Sequence, residues 1–281
     1  MHGIPPRAMA PHELASKAPS AAGSASAAVE ESRVEYLGRS ARTYLTLVLY
    51  AAIAPWGYAL FGLLLIAPIS VLRRRRLFQA CIRSGFRLLR GWVGTFRLAR
   101  VDALSVRENL LPERCVVVAN HPSHFDIVSL LSRIPRCATI VKPSIYDQWW
   151  LEPLMRGSGQ VRGTSHPLDA GRLVEAAVAR LHEGERLVVF PEGTRTEAGR
   201  EMPFHRLAFE IASRAHVPVV PIRIDCDPPF LSKGQSVLRP PRAFPRIRLE
   251  VLDPIDPESF GGDTRSLRDH VRNVLLGTRN R

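Results

Sequence analysis

The chain has 281 residues, with 39 lysines and arginines against 26 aspartates and glutamates, for a formal net charge of +13. That length allows one large domain or two small ones, and the charge balance favours anionic partners: nucleic acid, anionic lipid headgroups or phosphorylated substrates. Four scattered cysteines, Cys81, Cys115, Cys137 and Cys226, form no C-x-x-C pair, which argues against a zinc site or a disulfide framework and fits a reducing compartment.

Residues 1–42 read as a disordered tail. Its first part, to about residue 32, is rich in Ala, Ser and Pro and has too little apolar surface to offset the entropy of ordering. It also lacks the basic n-region and apolar core of a signal peptide. Residues 43–100 read as a membrane anchor. No charged residue occurs from Thr43 to Leu72, a run long enough for the roughly 20 apolar residues of a membrane-spanning helix. Pro55-Trp56-Gly57 divides it, giving either a re-entrant pair of short helices or a single kinked span. Arg39 and Arg42 precede the run and Arg73–Arg76 follow it. Basic residues at both ends favour the hairpin, with both ends cytoplasmic. From Leu77 to Leu98, Phe78, Ile82, Phe86, Leu89 and Val93 recur near helical spacing among arginines. Such a basic amphipathic helix suits the membrane interface or a soluble domain's surface, and both can hold.

Residues 101–281 alternate between short apolar runs and amphipathic segments. Strands are predicted at Cys115–Ala119, Ala138–Val141, Arg186–Phe190, Val217–Ile224 and Ile247–Val251. Helices are predicted at about Ser123–Ser132, Pro167–His182, Arg206–Ala215 and Ser266–Leu276, with a short helix or aromatic-bearing loop at Tyr146–Arg156. This alternation implies an α/β fold with a mostly parallel sheet flanked by helices.

Two stretches carry chemistry. Asn120-His-Pro-Ser-His-Phe-Asp126 follows the first predicted strand, so His121 falls at a strand's carboxyl end, where open α/β sheets place ligands. Ser123 is a candidate helix N-cap, and a first helical turn there can carry the Asp126 carboxylate back to the imidazole. A histidine so oriented is a general base; an ordinary surface histidine is the alternative. Phe190-Pro-Glu-Gly-Thr-Arg195 follows another strand. Its proline and glycine make a tight turn, and Arg195 offers a fork suited to phosphate. Elsewhere, Gly157, Gly159 and Gly163 miss the dinucleotide-binding spacing, and no G-x-S-x-G elbow occurs. His124 lacks the reach to Asp126 and is expected to have a structural or solvent role. Lys142 either faces a phosphate or is an ordinary exposed lysine, and Trp149 and Trp150 are core or interfacial anchors.

Taken together, Asn-His-x-Ser-x-x-Asp and Phe-Pro-Glu-Gly-Thr-Arg, with Gly159-Gln-Val-Arg162 and Val217-Pro-Val-Val-Pro221 in order, resemble the lysophospholipid (glycerolipid) acyltransferase family. The resemblance covers about residues 110 to 225. It implies that His121 is the general base and Asp126 its orienting partner, that Glu192, Gly193, Thr194 and Arg195 position the acceptor, and that Arg162 contacts its phosphate. It implies acyl-CoA or acyl-carrier protein as co-substrate, membrane lipids as partners, no further cofactor, no metal and no nucleic acid. Lysophosphatidate is the acceptor it favours, in phospholipid biosynthesis at the cytoplasmic (inner) membrane, with the site facing the cytoplasm. Two departures concern the acceptor: Gln160-Val161 stands where many members have Ile-Asp, and Pro203-Phe-His-Arg-Leu207 where the family has Pro-Phe-Lys-x-Gly. The alternatives are a lipid-binding or membrane-shaping protein without catalysis, and acylation of a different acceptor.

Overall fold

The computed structural model describes residues 32–102, 111–195, 203–235, 241 and 243–277; most of the tail expected at 1–42 lies outside them. The first helix, α1, runs Arg33–Ile66 and is closed at its start by Ser32 and Glu35 in a reciprocal capping box. Arg33–Arg42 are therefore helical, not tail. The helix continues through Pro55, so of the two expected arrangements the single continuous helix is present and the re-entrant pair is not. A single proline removes one hydrogen bond, and the alanine- and leucine-rich turns on either side hold the rest.

The helix α1 is long and apolar enough to cross a membrane, yet it is pinned to the remainder of the protein at both ends. The Arg39 guanidinium donates to the carbonyl oxygens of Pro241 and Ala243, the latter at 3.0 Å. Further along, Phe61 stacks on Phe78 with ring centroids 5.1 Å apart, and Tyr58 meets Trp150 edge-on. Arg39 and Phe61 are separated by about 33 Å of helix at 1.5 Å per residue. A helix tethered at two such distant points lies along the domain. Its outward face exposes Val48, Trp56, Leu63 and Ile66.

The chain then reverses into α2, Val71–Thr95, capped by Ser70. This basic amphipathic helix packs on the domain and buries Phe78, Gln79 and Val93. The close approach depends on two glycines of the next layer. A Cβ on Gly157 would lie 2.6 Å from the Phe78 ring, and one on Gly159, whose φ is +74°, would lie 2.5 Å from Arg75 Cδ. Over this seam Arg75 pairs with Glu183 and Glu185, and Gln79 donates to the Ser158 carbonyl.

The sheet has seven strands in the order β1-β7-β6-β2-β5-β3-β4. They span Arg100–Val101 (β1), Val116–Ala119 (β2), Cys137–Val141 (β3), Val161–Arg162 (β4), Arg186–Val189 (β5), Val219–Asp227 (β6) and Arg246–Val251 (β7). All neighbours are parallel except β6 and β7. Both faces are covered, which is why the central strands are continuous apolar runs. On one face Val116, Val118, Leu187 and Val189 pack against α6 (Ala170–His182), α7 (Leu207–Ala215) and α8 (Thr264–Leu276). On the other, Cys115, Val117, Ala119 and Val188 pack beneath α2 and α3 (Phe125–Leu131). Two short helices, α4 (Pro143–Tyr146) and α5 (Glu152–Ser158), bridge β3 to β4.

Gly157→Ala should lower stability by about 1–3 kcal/mol, since the Phe78 ring has no room to give. Gly85→Ala within α2 meets nothing within 4 Å and should raise it by roughly 0.5–1 kcal/mol. Chemical denaturation of the two variants checks the sign of each.

Candidate active site

The parallel register sets β2 beside β5, with Val118 opposite Val189, so the loops that follow these strands emerge side by side. One carries His121 and the other Phe190–Arg195. His121 Nδ1 lies 2.9 Å from Asp126 Oδ2. The same oxygen accepts the Ser123 backbone N–H at 2.7 Å. Helix α3 is regular from Phe125, with His124 just before it already in helical conformation. Ser123 makes the capping contacts: its hydroxyl accepts from the Phe125 N–H and donates to the Phe230 carbonyl.

Asp126 is fully buried. Burial raises its pKa from the ordinary carboxylate value, and the hydrogen bonds from His121 and Ser123 pull it back down. With Oδ2 already an acceptor from Ser123, the imidazole proton belongs on Nδ1, leaving the Nε2 lone pair open. His121 lines a cavity of about 2210 Å³. Its ring is stacked on Phe190, with centroids 4.1 Å apart and planes 17° apart.

Glu192 is buried and sits behind the histidine, where Oε1 accepts the His121 N–H at 3.4 Å. The structure therefore assigns it to the histidine's backbone instead of the acceptor side expected from sequence. Gly193, Thr194 and Arg195 do line the cavity, as does Lys142 just beyond β3. Gly193 adopts φ +65° and packs on His205, which the His205 N–H bond to the Pro191 carbonyl holds in place. A tight turn with a left-handed residue there explains the glycine.

Arg162, like Glu192, does not line this cavity. It follows β3 in the sheet order and pairs through both guanidinium nitrogens with Asp147. That pairing lowers the Asp147 pKa. Arg162 faces a second, smaller cavity of about 580 Å³.

The family model for Acyltransferase matches residues 103–225. Mouse 1-acyl-sn-glycerol-3-phosphate acyltransferase alpha is 29% identical over 230 residues, covering 78% of this chain and 76% of its own length. The human protein of the same name is 28% identical over 232 residues, covering 78% and 77%. Among solved structures, the 1-acyl-sn-glycerophosphate acyltransferase PlsC from Thermotoga maritima superposes with a TM-score of 0.64 at 24% identity, over 86% of this chain and 93% of that one. Residues 103–225 thus carry an acyltransferase domain, and the chain is similar to these 1-acylglycerol-3-phosphate acyltransferases over 78% of its length.

Several residues of this acyltransferase's site were not legible as such in its sequence. The Asn120 side chain bonds both the N–H and the carbonyl of Ile224, each at 2.7 Å, and so locks the end of β2 to β6. The segment Pro228–Gln235 straps the histidine loop from above. Leu231 O accepts from the His124 N–H and from Arg195 Nη1, and Ser232 Oγ donates to the Pro122 carbonyl. His124 does not contact Asp126; burial first, then the Arg195 and His121 charges, lower its pKa. Phe190, directly after β5, stacks on His121 because the strand register places the two side by side.

The raised pKa of Asp126 has a defined consequence for stability. The native state binds the Asp126 proton more tightly than the unfolded chain, so wild-type stability falls as pH rises from the ordinary carboxylate value through the native one. Asp126→Asn removes that ionisation. Urea unfolding between about pH 4 and 7 should therefore show the variant gaining stability relative to wild type as pH rises; a variant that loses ground to wild type over that range would contradict the buried carboxylate.

Proposed function

We propose that this acyltransferase moves a fatty acyl group from a thioester, acyl-CoA or acyl-carrier protein, to the free hydroxyl of a lysophospholipid, with 1-acylglycerol 3-phosphate as acceptor, in phospholipid biosynthesis. The observation that carries this reading is the His121–Asp126 contact at the wall of an apolar cavity that also reaches Arg195 and Lys142. His121 Nε2 takes the proton of the acceptor hydroxyl, and Asp126 stabilises the imidazolium that results. The oxygen attacks the thioester carbonyl carbon, the carbonyl bond opens to a tetrahedral oxyanion, and its collapse breaks the carbon–sulfur bond. The thiolate leaves with the proton from His121, so ester and free thiol are the products. The transfer is direct, with no acyl-enzyme and no metal. Gly193, Thr194 and Arg195 position the acceptor, and Arg195 with Lys142 supplies the charge for its phosphate. Glu192 supports His121 through the backbone.

The cavity is lined along one side by α1 and α2, including Ile53, Phe61, Ile82 and Phe86. We propose that the outward apolar face of α1, together with the exposed Trp149, seats the protein in one leaflet of the cytoplasmic membrane, with the site on the cytoplasmic side where acyl thioesters are made. Leu45, Trp56 and Leu63 are exposed on that face, and large outward apolar side chains of this kind mark membrane contact.

His121→Ala should reduce acyl transfer about 10²–10⁴-fold in membranes supplied with a labelled acyl thioester and lysophosphatidate, with the protein still sedimenting with the membrane. Arg195→Ala should chiefly raise the acceptor KM. Near-normal turnover in the first variant, or a loss confined to the thioester in the second, would overturn these roles.

A further inference from the structure

The second cavity lies against the first. Gln160, Gly163, Thr164 and Leu173 line both, so one ligand can occupy the two together. Their chemistry is opposite. The large cavity is apolar along α1 and α2, whereas the small one is ringed by Arg75, Arg156, Arg162, Arg172 and Arg180, with Asp169 the one acidic residue among its lining. Three of these arginines are weakly committed. Arg172 is 88% exposed and approaches Asp169 only at 4.0 Å; Arg156 and Arg162 hold partly exposed pairs with Glu152 and Asp147. Exposed pairs of this kind contribute little stability, so the guanidinium forks can turn to a polyphosphate, which they bind bidentately. The first turn of the 13-residue helix α6 adds its positive end to the same wall.

Resting on the acyltransferase reading above, we infer that this arginine cavity binds the adenosine 3′-phosphate 5′-diphosphate end of a coenzyme A thioester, whose pantetheine arm runs past Gly163 and Thr164 to His121. The acceptor's phosphate does not fit the same place. In a glycerol phosphate the phosphate sits on the carbon next to the one bearing the reacting hydroxyl, so it must lie close to His121, where Arg195 and Lys142 are available. Arg162 is at the end of β4, three strands from β2, or roughly 14 Å at the usual strand spacing. A pantetheine arm spans such a gap and a glycerol backbone does not. Gly163, where the two cavities meet, is held to a glycine by the neighbouring strand: its N–H donates to the Val141 carbonyl oxygen, from which a Cβ would lie only 2.9 Å away.

The test uses the full chain in detergent, with adenosine 3′,5′-bisphosphate as the probe. Calorimetry should find the probe bound by wild type. Arg162→Ala combined with Arg172→Glu should weaken it at least tenfold; both side chains are half exposed or more, so the fold should persist, as circular dichroism will report. In turnover, the double variant should raise the KM for acyl-CoA about as much, with the lysophosphatidate KM held. Four outcomes would each overturn the inference: no probe binding by wild type, undiminished binding by the variant, a rise in the acceptor KM in place of the donor's, or a rise confined to acyl-carrier protein. If no thioester supports turnover at all, the proposed function fails, and probe affinity alone then judges the cavity.

Discussion

Asp126 Oδ2 is shared between the imidazole of His121 and the backbone of Ser123, and the carboxylate is fully buried by the protein around it. A buried carboxylate with a single acceptor oxygen so engaged is expensive unless both donors stay in place. The surrounding structure is arranged to keep them there. Ser123 is held by Phe230, Pro122 by Ser232, and the His121 backbone by Glu192. Phe190 limits the ring to one plane. Four separate contacts from the turn after β5 and from the segment after β6 thus converge on one loop, and the geometry of the histidine follows from parallel strand register more than from its own seven-residue motif.

That convergence explains the division of labour in the Phe190–Arg195 turn. Consecutive residues leaving a strand point in different directions, so one loop can face both inward and outward. Phe190 and Glu192 turn toward the histidine loop; Gly193, Thr194 and Arg195 turn to the cavity. Conversely, Arg195 also reaches back to Leu231, the carbonyl that His124 uses. Arg195 is thereby coupled to the strap over the histidine loop, and disturbance of either is felt by the other.

Much of the fold was legible because its central strands are buried on both faces. Cys115–Ala119 and Arg186–Phe190 are short apolar runs with turn residues behind them, and they recur as β2 and β5 with boundaries shifted by one residue. The two-residue strands β1 and β4 were not legible, since two residues carry no period. The His121–Asp126 contact was legible from spacing once a helix was placed after the strand. The position of Arg162 was not, because it depends on strand order in space: β4 is adjacent to β3 and on the far side of it from β5. The role of Glu192 was hidden for a related reason. Its partner is a backbone N–H seventy-one residues away, and no local pattern reports which way a carboxylate in a turn will face.

The path of α1 was illegible for a different reason, and it changes the sense of the N-terminal segment. Apolar composition is the same whether a helix crosses a bilayer, dips into it or lies along a domain. The deciding contacts are Arg39 to Ala243 and Phe61 to Phe78, both long-range. Because those contacts tether α1 along its length, its inner side can serve as a wall of the same cavity that holds His121 while its outer side stays apolar. An isolated span could do only one of these. In the membrane-seated arrangement proposed above, the anchoring surface and the acyl-binding surface are opposite faces of one helix, so a lipid chain stays in contact with apolar side chains on its way to the site, which removes the hydration cost of about 0.8 kcal/mol per exposed methylene that otherwise opposes its transfer.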